Sequence, residues 1–150
     1  MKSFDYKINT ATGEQIKNHL FLCSDSFSPH LDTYIDIPAY ALKLRTNSVT
    51  FESWYYKELV GLIACYLNDE NSQMGYITNV SVNKEFYGLG IAKKLLENTI
   101  QLAKEKKFEY MKLEVRKDNF VAIKLYKIFN FIIETEIDNK YIMKIILLNE

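Results

Sequence analysis

Residues 78–96 read Thr-Asn-Val-Ser-Val-Asn-Lys-Glu-Phe-Tyr-Gly-Leu-Gly-Ile-Ala-Lys-Lys-Leu-Leu. An apolar strand, Met74 to Val82, ends inside this stretch, and five polar or aromatic residues follow it. Gly88-Leu89-Gly90 then opens a helix whose apolar positions Ile91, Leu95 and Leu102 share one face. Strand, glycine turn and helix in this order form an anion cradle. The first turn of a helix carries amides without carbonyl partners and the positive end of the helix dipole, so a diphosphate is held there when no side chain blocks it. Two glycines remove that obstruction.

Spacing separates the ligands that use this device. A P-loop needs Gly-Lys-Ser/Thr at the helix start, whereas Gly90 is followed by Ile91 and Ala92. A dinucleotide fingerprint needs a small residue three places after its second glycine, where this chain has Lys93. The remaining pattern, Tyr87-Gly88-Leu89-Gly90-Ile91-Ala92, resembles motif A of the GNAT acyltransferases, Gln/Arg-x-x-Gly-x-Gly/Ala, which holds the pyrophosphate of acetyl-CoA. Tyr87 departs from it, standing where the family has Gln or Arg.

A second segment, Leu113-Glu114-Val115-Arg116-Lys117-Asp118-Asn119-Phe120-Val121-Ala122-Ile123-Lys124-Leu125-Tyr126, is similar to motif B of the same family. The likeness is greatest to the ribosomal-protein N-terminal alanine acetyltransferases. The resemblance implies a cofactor site made of Val80, Ser81 and Val82, whose backbone amides pair with the pantetheine arm, together with Tyr87, Gly88, Leu89, Gly90, Ile91, Ala92, Lys93 and Asn119. It also implies Glu114 as general base and Tyr126 as the acid that protonates the departing sulfur. Acyl transfer to an amine needs those two proton carriers and a stabilised oxyanion. Asn119, Ala122 and Tyr126 fall at i, i+3 and i+7 on one helical face, with small Ala122 leaving a slot between two polar groups. An apolar setting between Leu113 and Val115 would raise the Glu114 pKa toward the working range.

Composition bounds the function. With 48% apolar residues in 150, the chain suits one domain with a substantial core, 1–150. Nineteen basic and nineteen acidic residues without a like-charge run argue against a nucleic-acid partner. Cys23 and Cys65 lie far apart in apolar surroundings without metal-ligand spacing, so both read as buried free thiols, no metal is expected, and the cytoplasm is the expected location. The N-terminus lacks a signal-peptide core, and no stretch approaches a membrane span.

The rest of the chain fits around these segments. Phe4, Tyr6 and Ile8 alternate as a first strand, and Thr12-Gly13-Glu14-Gln15 has the form of a capping box for a helix carrying Ile16 and Leu20 inward. His19 on that helix reads as a partly exposed residue. Residues 24–36 read as loop, and Pro38 starts a second helix through Ala41 and Leu44. Phe27, His30, Tyr34 and Tyr40 in this region are candidates for reading the acceptor. Strands over 49–56 and 59–67 join at Lys57-Glu58, and a turn at 68–72 leads into the central strand. A fifth strand covers 110–115, Asp118 or Asn119 caps a helix that packs Val121, Leu125 and Ile128 inward, and Asn130 takes a left-handed helix end. A hairpin, 131–137 and 141–148, closes the chain.

The order βααβββαβαββ matches the GNAT layout, an α+β fold with a mixed, mostly antiparallel sheet flanked by helices. The resemblance implies an acyl-CoA N-acyltransferase using acetyl-CoA on a primary amine: a protein N-terminus, a small amine or an amino sugar. The alternative from another class is a CoA-binding module without turnover. The last hairpin offers an edge strand at which a homodimer would form.

Overall fold

Gln15 donates its backbone proton to Thr12 Oγ1 at 3.1 Å, and the Thr12 amide returns a bond to Gln15 Oε1 at 2.9 Å, so the expected capping box starts the first helix. In the computed structural model, which describes residues 2–27, 29–68, 71 and 73–148, the elements run β1 (Asp5–Ile8), α1 (Gly13–Cys23), α2 (Leu31–Tyr34), α3 (Ile37–Asn47), β2 (Val49–Tyr55), β3 (Glu58–Tyr66), β4 (Met74–Val82), α4 (Ile91–Glu105), β5 (Tyr110–Arg116), α5 (Phe120–Ile128), β6 (Ile132–Ile137) and β7 (Lys140–Ile146). The strands form one sheet in the order β1-β2-β3-β4-β5-β7-β6. The β1/β2, β2/β3, β5/β7 and β6/β7 ladders are antiparallel, and β4/β5 is parallel. This is the α+β architecture read from the sequence.

Some boundaries differ from expectation. Residues 24–36 are not plain loop: a 3-10 turn covers Ser24–Ser26 and a short helix covers Leu31–Tyr34, its first amide bond running from Ile35 N to Leu31 O. Ser24 Oγ accepts the Asp32 amide at 3.1 Å and so fixes the start of that helix. The β2/β3 turn falls at Tyr56-Lys57, one residue earlier than read, with Tyr56 itself in the left-handed region. Asp69, Glu70 and Ser72 of the expected turn at 68–72 lie outside the described residues. Asn130 takes φ 73° at the end of α5, as its side chain allows.

The chain divides into two compact units, each discontinuous in sequence. One comprises Met1–Cys65 and Asn79–Thr99, with α1, α2 and α3 burying Ile16, Leu20, Leu31, Ala41 and Leu44 against Trp54, Leu59 and Leu62. The other comprises Tyr66–Thr78 and Ile100–Glu150, where Met111, Leu113, Ile123, Phe131, Met143 and Ile145 are buried. On the exposed face of this second unit, Glu134 lies between Lys112 at 2.7 Å and Lys144 at 3.4 Å, and the Lys112 bond holds its carboxyl below the usual range.

Within the first unit one side chain sets the loop that leads into α1. Glu52 on β2 is fully buried, and its carboxylate accepts from the Thr10 amide and hydroxyl, the Ala11 amide, the Thr50 hydroxyl and Trp54 Nε1. A buried carboxylate is tolerated only when donors surround it in this way. Replacing Glu52 by Ala strands those donors and should cost about 3–5 kcal/mol, with Glu52→Gln costing less. Urea unfolding followed at Trp54, the chain's single tryptophan, reads the difference.

Candidate active site

β4 ends in a short 3-10 turn, Lys84–Phe86, that Asn83 fixes at both ends. The Asn83 amide donates to Val60 O at 2.8 Å, and its side-chain oxygen accepts the Glu85 amide at 3.1 Å. Phe86 is buried and anchors the turn. Tyr87 continues in extended form, exposed, with its hydroxyl 3.1 Å from Ser26 Oγ.

Gly88 and Gly90 both lie in the left-handed region, at φ 77° and 79°. A Cβ at either would meet no heavy atom within 4 Å. The glycines are therefore required by the backbone angle and not by crowding, and the space above them is open. The Lys94 amide makes the bond to Gly90 O at 3.1 Å, which leaves the amides of Ile91, Ala92 and Lys93 ahead of the helical ladder. Ile91 and Leu95 are buried where the helix crosses β3 at Gly61. A Cβ at Gly61 would stand 2.6 Å from Ile91 Cγ2 and 3.1 Å from Leu95 Cδ1, so this glycine sets how closely α4 approaches the strand. Sequence reasoning passed over Gly61, although a lone glycine within a strand pattern is its signal. Leu89 and Lys93 are exposed, Ala92 is half-buried, and Lys94 pairs with Glu97 at 3.8 Å.

On β4 the parallel ladder with β5 covers Met74↔Tyr110 to Ile77↔Leu113, and the strand continues to Val82. Since the Asn83 amide points to β3, strand alternation sends the Ser81 amide the same way and leaves those of Val80 and Val82 on the other edge. Ser81 contributes differently, through its buried hydroxyl, 2.9 Å from His19 Nε2. His19 is not the partly exposed residue expected: it is 1% exposed, with Nδ1 3.2 Å from Leu59 O. Helical spacing gave no sign of this, because both oxygen partners come from other elements.

In the second unit, Asn119 Oδ1 accepts the Ala122 amide at 3.2 Å and caps α5, so the side-chain NH2 is the half of that amide turned to other uses. The packing face of α5 differs from expectation. Val121 is 84% and Ile128 61% exposed, whereas Ile123 and Tyr126 are buried. The tyrosine ring offers the larger apolar area and packs on Phe131, centroids 5.8 Å apart, across the turn at Asn130. Burial pushes the Tyr126 hydroxyl pKa up, which keeps it protonated. Glu114 is exposed opposite Ile142 of β7, while Leu113 and Val115 point to the other, buried face. The apolar setting expected from its sequence neighbours is therefore absent, since a strand turns adjacent side chains to opposite sides. Phe120, Ile123, Lys124, Lys127 and Ile128 line a cavity of about 490 Å³ along α5. Among the described residues no three of His, Cys, Asp or Glu stand together as a metal would need.

The profile of the Acetyltransferase (GNAT) family matches residues 14–131. The chain belongs to this family. It is similar to an N-alpha-acetyltransferase from Sulfolobus acidocaldarius, with 40% identity over 58 residues, 38% of this chain and 34% of that one. It spans about a quarter to a third of the length of the curated relatives it matches. Among solved structures it is similar to a PaiA N-acetyltransferase from Thermoplasma acidophilum in complex with coenzyme A, with TM-score 0.73, 14% identity and coverage of 93% of this chain and 98% of that one. A ribosomal-protein alanine N-acetyltransferase from Escherichia coli gives TM-score 0.76 at 16% identity, covering 100% of this chain and 96% of that one. At these identities the likeness is one of fold. No helix among the described residues of this GNAT chain is long and apolar enough to cross a membrane.

Burial lowers the His19 pKa from 6.5 to about 4, against the weaker opposing effect of its bonds to Leu59 and Ser81. The unfolded chain therefore binds a proton that the folded chain refuses, and stability falls as pH drops from about 6.5 to about 4. The loss from this group should reach about 3 kcal/mol. Urea titrations at stepped pH should show it in the wild type and not in His19→Leu.

Proposed function

We propose that this GNAT chain is an acyl-CoA N-acyltransferase that moves the acetyl group of acetyl-CoA to a primary amine by direct attack. The observation that carries the reading is the turn into α4: two left-handed glycines with open space above them, followed by three helix amides ahead of the first i→i−4 bond. Those groups fit a diphosphate, with Lys93 as an added cation. Tyr87, whose hydroxyl donates to Ser26 Oγ, stands where Gln or Arg would give a side-chain contact, so the cradle rests on its backbone amides.

In this reading the Val80 and Val82 amides pair with the pantetheine arm and polarise the thioester carbonyl. Asn119 donates from its NH2 to a pantetheine amide. Glu114, open to solvent, takes the proton of the acceptor ammonium directly or through water. The neutral amine attacks the carbonyl carbon, the C–S bond breaks, Tyr126 gives its proton to the thiolate, and the surplus proton of the attacking nitrogen leaves through water and restores the phenol. The motif B likeness and the archaeal N-alpha-acetyltransferase relative favour a protein N-terminus over a small amine or amino sugar as acceptor. The two buried free cysteines suit a cytoplasmic site of action.

Thiol release from acetyl-CoA with a panel of peptides and small amines tests the reading. Tyr126→Phe should lower kcat about 100-fold or more with CoA affinity kept, and Glu114→Gln should lower kcat. Tight CoA binding without thiol release on any amine would instead indicate a binding module. Gly90→Ala, forced into the left-handed region at a cost of about 1–2 kcal/mol, should weaken CoA binding roughly tenfold by calorimetry.

A further inference from the structure

We propose that His19 is a positioning residue for acyl transfer, holding the end of β4 in register through Ser81. The inference rests on the reading above, in which the Val80 and Val82 amides act on the thioester. His19 belongs to α1 and meets two strands at once: Nδ1 lies 3.2 Å from Leu59 O on β3 and Nε2 lies 2.9 Å from Ser81 Oγ on β4. Ser81 Oγ in turn stands 2.8 Å from the Asn79 side-chain oxygen, and Cys23 Sγ, one helical turn on, closes the pocket 3.6 Å from Nε2. All four side chains are buried.

Proton counting defines the chain. A neutral imidazole that donates from Nδ1 to Leu59 O accepts at Nε2, where the Ser81 hydroxyl at 2.9 Å is the nearer and stronger donor and the Cys23 thiol at 3.6 Å the weaker one. Ser81 has one proton, so donating it to Nε2 leaves its oxygen to accept from Asn79, with the amide turned so that NH2 faces Ser81. Both ring nitrogens and the Ser81 hydroxyl are then paired. Burial, which lowers the imidazole pKa to about 4, holds this neutral arrangement across the working pH range.

Leucine would fill the same space without a desolvated ring, so stability alone gives no reason for a histidine here. What the imidazole adds is direction. It fixes Ser81, and with it the two flanking residues whose amides point to the opposite edge of β4. A bond to a developing oxyanion strengthens as charge develops, so the loss falls more on turnover than on cofactor affinity, to which the same amides contribute through the pantetheine arm.

His19→Leu should lower kcat about 10- to 100-fold with KM for acetyl-CoA within about threefold. His19→Gln, which can still reach Ser81, should recover most of that loss, and His19→Asn, which is too short to reach Ser81, should not. Ser81→Ala removes only the hydroxyl and carries the same expectation if a position-19 variant fails to fold. A readout independent of turnover separates this inference from the activity itself. Amide exchange of Asn83, bonded to Val60 O, should rise about tenfold in His19→Leu relative to β2 amides. Unchanged Asn83 exchange, or equal kcat for the Leu, Asn and Gln variants, would overturn the role of His19. Absence of thiol release in the wild type, with exchange altered as expected, would overturn the acyl-transfer reading and leave the tether standing.

Discussion

The amides of Ile91, Ala92 and Lys93 have no carbonyl of their own helix to bond. Everything that shapes the first unit around them keeps them open. Gly88 and Gly90 turn the chain through angles that other side chains resist and lead it from the 3-10 turn after β4 straight into α4. Gly61 lets the helix settle on β3, and buried Ile91 and Leu95 fasten it there. Anion affinity at such a site depends on the dipole and the amides being held still, and the packing supplies that rigidity.

The same logic accounts for two buried polar groups that an apolar core would not need. Glu52 gathers donors from the β1/α1 loop, and His19 joins α1 to β3 and β4. Both act across long sequence separations, and both fix segments that hydrophobic contact alone would leave free to slide. Directional bonds specify a position, whereas buried area specifies only proximity.

Much of this was legible in the sequence because it is local. The capping box at Thr12, the glycine turn, the bounds of β4 and the left-handed Asn130 each depend on residues within a few positions of one another. Glu52 and His19 were not legible, since a lone acid on a strand or a lone histidine on a helix gives no hint of partners about forty residues away or more. The packing face of α5 was misread for another reason. In a helix of nine mostly apolar residues, periodicity discriminates poorly, and the ring of Tyr126 took the place expected for Val121 and Ile128. The setting of Glu114 was inferred from adjacent residues, which a strand turns to opposite faces.

The burial of Tyr126 bears on its proposed role as an acid. A phenol whose pKa is raised by desolvation would be a poor donor to a thiolate in water. A thiolate released beside it, however, is desolvated by the same surroundings, so its conjugate acid is raised too. Proton transfer depends on the difference between the two, which burial leaves largely unchanged. What burial does add is a proton held on the phenol at every working pH until a stronger local base appears. In the proposed reaction that base is the sulfur at the moment the C–S bond breaks, so the raised pKa favours timing over acid strength.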